Sequence, residues 1–164
     1  MRQSTTRVPN TDWMDRSNAS RRAIRPPGTP FQSVNPAEHL QRLRISLNEQ
    51  NFDHKPTRGR RVCLYVRTLP KADPEPFFAP LRVEAARLGW QAGQEIHDSG
   101  GPQAPQQSAG WLRVRKLIHE GFADGVIAVN RFHISRDDGE YVAELRFVHE
   151  RLGVTGLITP ETGS

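Results

Sequence analysis

The first strong signal along the chain is the apolar run Val62-Cys63-Leu64-Tyr65-Val66. A second run, Gly125-Val126-Ile127-Ala128-Val129, carries no charged side chain. Short apolar runs without polar alternation are typical of strands that are buried on both faces of a sheet. The two runs therefore predict central strands of a parallel sheet covered on both sides.

Around these runs, apolar residues recur at helical spacing. Three helices and two further strands follow from the pattern: stripes at Phe78/Leu81/Ala85/Leu88, Trp111/Val114/Leu117/Ile118 and Tyr141/Leu145/Val148/Leu152, and strands at 90–97 and 154–159. Strands alternate with helices from end to end, and each connection is long enough to hold a helix. This order predicts an α/β fold, a small flavodoxin-like or Rossmann-like parallel sheet with helices on both faces.

The basic charge is confined to the first third of the chain. The 164 residues carry a net charge of +5, but residues 1–60 hold 11 basic and 5 acidic side chains, whereas residues 61–164 hold 12 and 13. Residues 1–35 contain four prolines and few core-forming side chains, so we predict a disordered basic arm.

A separate segment, 36–60, links this arm to the folded domain at 61–164. Leu40, Leu43 and Leu47 recur at spacings of three and four, which predicts an amphipathic helix over 36–49, followed by a basic linker over 50–60. A short helix is marginal in water. The sequence leaves open whether it docks on the sheet or binds a partner.

Several classes of protein are excluded by what the sequence lacks. The sequence contains no run of eighteen apolar residues, so it predicts no membrane span. Residues 1–6 lack the apolar core of a signal peptide. One cysteine, Cys63, makes neither an internal disulfide nor a Cys-based zinc site. The turn after the first strand has no glycine for a dinucleotide, and the Ser99-Gly100-Gly101 loop lacks the Lys-Ser/Thr pair of a P-loop. We expect a cytoplasmic protein without metal or cofactor.

Ligands of parallel α/β sheets bind where the strands end. The sequence places arginines there, Arg67 after the first strand and Arg131 and Arg136 after the third. Guanidinium groups suit a phosphate or carboxylate. On composition alone, ordinary surface arginines are the more frequent explanation.

One family resemblance bears on these arginines. The segment from Val62 to Leu69 resembles the opening strand of serine recombinases, the resolvase/invertase family, in which a Tyr-x-Arg-x-Ser ending carries the nucleophile. Further matches follow in the family's order: Leu88-Gly89-Trp90, His97-Asp98-Ser99-Gly100, Gly110-Trp111-Leu112, Asp124 to Val129, Ser135-Arg136-Asp137 and Glu150-Arg151-Leu152-Gly153-Val154. The resemblance spans about residues 61–159 and implies attack of a serine on a DNA phosphodiester, with arginines stabilising the transition state.

The chain departs from the family pattern at the residues that perform this chemistry. Leu69 stands at the nucleophile position, and Ser108, Phe132 and His133 replace an arginine, an aspartate and a second arginine. We therefore expect a catalytically degenerate domain. The residues expected to remain as a phosphate-binding remnant are Tyr65, Arg67, Arg136 and, when protonated, His133.

Three functions stay open at this point. In the first, an inactive domain of a DNA-recombination lineage binds DNA without sequence preference, or binds a protein partner. We expect no separate DNA-binding domain after residue 159. The predicted DNA contacts are therefore Arg21, Arg22, Arg25, Arg58 and Arg60. In the second, Thr68 serves as a displaced nucleophile of an active strand-exchange or nicking enzyme. In the third, an anion-binding or protein-interaction scaffold has no connection with DNA. The oligomeric state is not indicated.

Overall fold

In the computed structural model, the described residues are 35–54 and 59–163. They form four strands, β1 (Arg61–Arg67), β2 (Gln91–Asp98), β3 (Gly125–Ala128) and β4 (Val154–Leu157), and four helices, α1 (Pro36–His54), α2 (Glu75–Arg87), α3 (Ala109–His119) and α4 (Asp138–Glu150). Short 3₁₀ turns lie at Pro105–Gln107, Arg131–His133 and Glu161–Gly163. The predicted arm, with Arg21, Arg22 and Arg25, lies outside the described residues except for Asn35, and so does Arg58.

The sheet is parallel, in the order β2-β1-β3-β4. Every strand and helix predicted between residues 61 and 159 is present, so the predicted α/β class is confirmed. The apolar runs in β1 and β3 occupy the two central positions, which explains why neither carries polar alternation. All strand ends that could carry a site therefore meet at one edge.

Alternating residues of β1 contribute to two separate core layers. Cys63 and Tyr65 pack in one layer with apolar residues of α1, α3 and α4. Val62, Leu64 and Val66 pack in the other with α2 and the buried ring of Trp90. The period of two along a strand thus places α2 on one face of the sheet and α3 and α4 on the other, while α1 contacts both layers through Leu40 and Phe52.

Helix α1 docks on the α/β layer, which answers the question the sequence left open. It packs against α4, β4 and the turn Glu161–Gly163. It also continues to His54, five residues beyond the predicted end at 49. Asn51 explains the extension, because its buried amide donates to the carbonyls of His149 and Gly153. A polar side chain satisfied in this way keeps a polar segment helical.

Asn48 of α1 closes the outer edge of β4. Its side-chain amide donates to the Thr155 carbonyl at 2.8 Å, and its side-chain oxygen accepts the Thr155 N–H at 3.0 Å. Both backbone groups that Thr155 directs away from β3 are therefore paired. The Asn48 side chain does here what a neighbouring strand would do.

Arg60, which the sequence places in a basic linker, is buried. Its side chain is only 1% exposed, and its guanidinium donates to the carbonyls of Leu152 and Asn51. The Arg60 guanidinium is thus used for internal bonds in this structure, and its predicted contact with DNA phosphates stays a prediction.

A buried ion pair joins α1 to the last turn of the chain. Arg44 donates twice to Glu161, at 2.8 and 3.1 Å, and Tyr141 Oη donates to the same carboxylate at 2.6 Å. Burial acts to raise the pKa of Glu161, but the bonds from Arg44 and Tyr141 outweigh it and leave that pKa below its ordinary value. The pair therefore holds charged groups together in the interior.

Within residues 35–54 and 59–163, no helix has the length and apolar character needed to cross a membrane.

Candidate functional site

The carboxyl edge of the sheet brings together the ends of its two neighbouring strands β1 and β2. Arg67, the last residue of β1, is paired in register with Asp98, the last residue of β2. Tyr65 lies two residues before Arg67 and shares its face of the strand. Three polar side chains thus converge where the sequence predicted a site, and one of them, Asp98, was not among the predicted site residues.

Arg67 is used almost entirely inside the protein. Its side chain donates twice to Tyr65 Oη, at 3.3 and 3.0 Å, and once each to Ser108 Oγ and the Gln103 carbonyl. Only 8% of the residue is exposed. Since a guanidinium has five N–H groups, these four bonds leave little for an outside phosphate. Arg67 thus supports the interior in this structure while bordering a surface cleft, and its phosphate-binding role stays a prediction.

Tyr65 and Asp98 complete the same network. Tyr65 Oη donates to Asp98 Oδ2 at 2.6 Å. Burial, and then the bond to Asp98, raises the pKa of Tyr65, so its hydroxyl stays protonated and keeps donating. Tyr65 is therefore a fully buried connector and is not exposed to a ligand. In this structure Tyr65 supports the interior, and its predicted phosphate contact stays a prediction.

Asp98 also caps helix α3. Its carboxylate accepts the N–H groups of Gly110 and Trp111, at 2.8 and 3.2 Å, which are free at a helix start. Gly110 makes this approach possible, because a Cβ there would lie 2.7 Å from the carboxylate atoms. Ser108 precedes the helix and makes no side-chain cap bond. The sequence signal for this cap is an acidic residue at the end of a strand, with Ala-Gly-Trp at the start of the next helix. The prediction of the site did not use this signal.

A cleft of about 280 Å³ opens beside this network. Its lining includes Arg136, Thr68, His133 and two large apolar side chains, Leu69 and Phe132. Leu69 is 67% exposed and Phe132 is 41% exposed. Within the described part of the chain, the exposed Arg136 guanidinium has no hydrogen-bond or ion-pair partner. The opening therefore has one available cation and an apolar rim.

His133 differs from the expected protonated donor. Its Nδ1 accepts the backbone N–H of Arg67 at 2.9 Å, so this nitrogen carries no proton. Burial, and then the charge of Arg67, lowers the pKa of His133 to about 4. The ring is therefore neutral at pH 7 and offers an anion at most its Nε2–H.

Arg131, the third arginine predicted at this edge, is buried. It pairs with Asp138 at 2.5 Å and donates to the Arg136 carbonyl at 2.8 Å. Its guanidinium also lies 5.2 Å from the ring centre of Tyr141. Of the three arginines, only Arg136 faces the cleft without an internal partner among the described residues.

Thr68 has a neighbour that the sequence did not reveal. Its Oγ1 lies 2.8 Å from Nε2 of His97, on the adjacent strand, and also donates to the Leu69 carbonyl at 3.0 Å. Thr68 lines the same cleft as Arg136. No residue spacing indicated the pair, because it depends on the register that places β1 beside β2. Because the one Thr68 hydroxyl proton goes to the Leu69 carbonyl, His97 Nε2–H donates to Thr68 Oγ1 in this arrangement. The imidazole can activate the hydroxyl as a nucleophile only if the hydroxyl turns toward an unprotonated Nε2.

The described residues contain no group of His, Cys, Asp or Glu side chains arranged to hold a metal ion.

No protein-family model matches the sequence, and no curated protein matches it as a relative. Solved structures that are similar in fold include two catalytic domains. The C-terminal catalytic domain of ISC1926 TnpA, an IS607-like serine recombinase, is 22% identical, with a TM-score of 0.51 over 60% of this chain and 70% of that one. The N-terminal catalytic domain of TP901-1 integrase is 18% identical, with a TM-score of 0.54 over 60% and 77%. This chain has the α/β fold of serine recombinase catalytic domains.

Proposed function

We propose that this chain is a recombinase-like domain that no longer exchanges DNA strands and acts by binding DNA phosphates through its basic N-terminal residues. The observation that carries the proposal is the exposed Leu69 at the mouth of the carboxyl-edge cleft. The family resemblance puts the nucleophile at this position, and a leucine side chain has no atom that attacks phosphorus.

The surroundings of Leu69 support the loss of chemistry. Transfer of a phosphodiester needs cations aimed at the charge that develops in the transition state. Arg67 is bonded to Tyr65, Ser108 and Gln103 instead, and the neutral His133 adds no charge. Arg136 alone is a weak substitute for a cluster of arginines.

The distribution of charge supports binding by the N-terminal residues. Residues 61–164 carry 12 basic and 13 acidic side chains, so the net charge of this segment does not favour binding of a polyanion. Residues 1–60 carry 11 basic and 5 acidic side chains. A DNA-binding contribution is therefore expected from this segment, including Arg21, Arg22 and Arg25, through phosphates and without sequence preference.

The experiment that tests the proposal uses the full chain with supercoiled plasmid. Denaturing electrophoresis detects a covalent protein–DNA adduct, and native electrophoresis detects binding. We expect binding without an adduct. We also expect Leu69→Ser to form no adduct, since Arg67 would still be held by its internal partners. An adduct from the unaltered chain contradicts the loss of chemistry.

Matched charge variants locate the binding. The variant Arg21→Gln/Arg22→Gln/Arg25→Gln removes three charges from the N-terminal segment. The control Arg42→Gln/Arg87→Gln/Arg146→Gln removes three charges from exposed positions on α1, α2 and α4. Only the first variant is expected to weaken the shift. Equal weakening by both contradicts the assignment, and a chain that shifts no DNA favours a protein partner instead.

One observation favours a second candidate function, a DNA-nicking or strand-exchange enzyme with Thr68 as nucleophile. In that reaction the Thr68 hydroxyl first turns from the Leu69 carbonyl toward an unprotonated His97 Nε2. Thr68 Oγ1 then bonds to phosphorus while His97 Nε2 accepts its proton, and the phosphorus–oxygen bond to the leaving strand breaks. The strand leaves with a free hydroxyl after protonation by water. The 2.8 Å contact between the two side chains supports it.

Thr68→Val separates the two functions, because valine keeps the shape of threonine and removes its hydroxyl. An adduct that forms with the unaltered chain and with Leu69→Ser, but not with Thr68→Val or His97→Gln, would establish the second function. Absence of the adduct in all four proteins, with plasmid binding retained, rejects it.

A further inference from the structure

A second cleft, of about 950 Å³, lies at the end of the sheet opposite the carboxyl edge. It is lined by the first residues of β1 and β2, by α3, and by the loop that follows α3. Buried Cys63 contributes to its floor. Parallel strands begin at this end, so the cleft shares no lining residue with the cleft at Leu69 and Arg136.

A bulge in edge strand β2 shapes this cleft. Val62 pairs with Ala92 and Leu64 with Glu95, so β2 contains one more residue than β1 at this point. Gly93 lies within the bulge, and a Cβ on it would lie 3.0 Å from Cγ of Arg61. The missing side chain therefore makes room for the stem of Arg61 to lie across β2.

Two more cations enter the cleft from α3. Arg113 donates to the side-chain oxygen of Gln94 at 2.9 Å, which ties it to the bulged part of β2. Lys116 follows one turn later and is 4.0 Å from Glu120, the one acidic residue in the lining. In the described part of the chain, the Arg61 guanidinium has no hydrogen-bond or ion-pair partner. Three cations thus face one carboxylate.

An aromatic ring borders the cations. Phe122 is 64% exposed and lines the cleft beside the half-buried Leu117. Its backbone N–H donates to the Leu117 carbonyl at 2.9 Å, and Gly121 turns the chain with a φ of 83°. Gly121 adopts this left-handed conformation without a Cβ penalty. The loop therefore holds an apolar aromatic face in solvent, next to a concentration of positive charge.

We propose that this cleft binds a small phosphorylated ring compound of the nucleoside monophosphate class. Its phosphate lies between Arg61 and Arg113, with Lys116 adding charge, because guanidinium groups recognise phosphate oxygens with paired hydrogen bonds. Its flat ring stacks on Phe122. The volume is within the range of small-molecule sites. This site is independent of the proposed DNA-binding function.

The test is calorimetric titration of the full chain with adenosine 5′-monophosphate, inorganic phosphate and adenosine. We expect the monophosphate to bind more tightly than either fragment. Arg61→Gln/Arg113→Gln should weaken binding of the monophosphate by about tenfold or more. Phe122→Ser should weaken binding of the monophosphate and leave the affinity for inorganic phosphate unchanged. Circular dichroism checks that each variant is folded.

Two controls keep the result specific to this cleft. Arg136→Gln removes the exposed cation of the other cleft, and Arg21→Gln/Arg22→Gln/Arg25→Gln removes charge from the N-terminal segment. Both should bind the monophosphate like the unaltered chain. The proposal is overturned if the monophosphate does not bind at millimolar concentration, if Arg61→Gln/Arg113→Gln binds it normally, or if either control loses it. Equal affinity for inorganic phosphate and the monophosphate overturns the role of Phe122.

Discussion

Arg67 and Arg136 line the same cleft but differ in what surrounds their guanidinium groups. Arg67 satisfies Tyr65, Ser108 and Gln103 from a buried position, whereas Arg136 is exposed. At the scale of single residues, the same residue type is thus a structural support in one place and an available charge in the other. Stability measurements distinguish the two.

We predict that Arg67→Met lowers the free energy of unfolding by about 2–4 kcal/mol, because it leaves the buried Ser108 hydroxyl and Gln103 carbonyl without their donor. The matched variant Arg136→Met should change it by less than about 0.5 kcal/mol, as exposed substitutions usually do. Urea unfolding measures both. Similar values for the two variants would contradict the internal role of Arg67.

His133 carries a pH dependence of stability. Burial lowers the pKa of His133 to about 4 in the folded protein, below the ordinary value of about 6.5 in the unfolded chain. The unfolded chain therefore binds the proton more readily. The stabilising contribution is complete above about pH 6.5 and is lost as the pH falls toward 4.

The expected loss between pH 7 and pH 5 is about 1–2 kcal/mol. His133→Asn keeps an acceptor for the Arg67 N–H but does not titrate, so its stability should fall less over the same interval. His39→Asn, at an exposed position on α1, is the control and should behave like the unaltered chain. A titration of the His133 ring by NMR with a midpoint near 6.5 would refute the assignment.

At the scale of elements, α1 is secured by its contact with the end of the chain. Arg44 and Glu161 are both buried, and Tyr141 of α4 joins them. Removing one partner of such a pair leaves a charge in the interior. Replacing both with apolar residues of similar volume removes that penalty.

We predict that Glu161→Gln destabilises the protein by about 3 kcal/mol. The double variant Arg44→Met/Glu161→Leu should lose less than Glu161→Gln alone, and thermal or urea unfolding supplies the comparison. If the double variant instead loses the sum of the two single effects, Arg44 and Glu161 do not act as a pair.

At the scale of the whole molecule, the separation of charge between residues 1–60 and 61–164 governs the proposed binding of DNA. Each phosphate neutralised contributes about −0.9 to the slope of log affinity against log salt concentration. Replacing Arg21, Arg22 and Arg25 with Gln should make this slope shallower by up to about 3. An unchanged slope, measured by fluorescence anisotropy on duplex DNA, would place the phosphate contacts elsewhere.

The fold was predictable because its signals are local. The apolar runs of β1 and β3 and the helical stripes lie within single elements, and the elements appear where the sequence predicts them. The end of α1 was not predictable, because Asn51 is held by carbonyls about a hundred residues away. Distant contacts of this kind leave no periodicity in the sequence.

The position of the candidate-site arginines in the fold followed from the sequence, but their partners did not. The arginines lie at the carboxyl edge as expected, yet their partners come from other strands and loops. Asp98 and His97 become neighbours of Tyr65 and Thr68 only through the pairing of β1 with β2. Arg60 and Arg131 looked like surface charge in the sequence because nothing local indicates that carbonyls or an aspartate will enclose them.

The amide of Asn48 has a consequence for the protein at high concentration. Parallel sheets with an open outer strand can recruit a strand from another molecule and grow into fibrils. Here Thr155 of β4 has its outward N–H and carbonyl already occupied, and the bulge at Gly93 disturbs the regular spacing of β2 at the opposite margin. Pairing of β4 or β2 with a strand of another molecule is thus hindered at both edges of the sheet, which disfavours aggregation by strand addition.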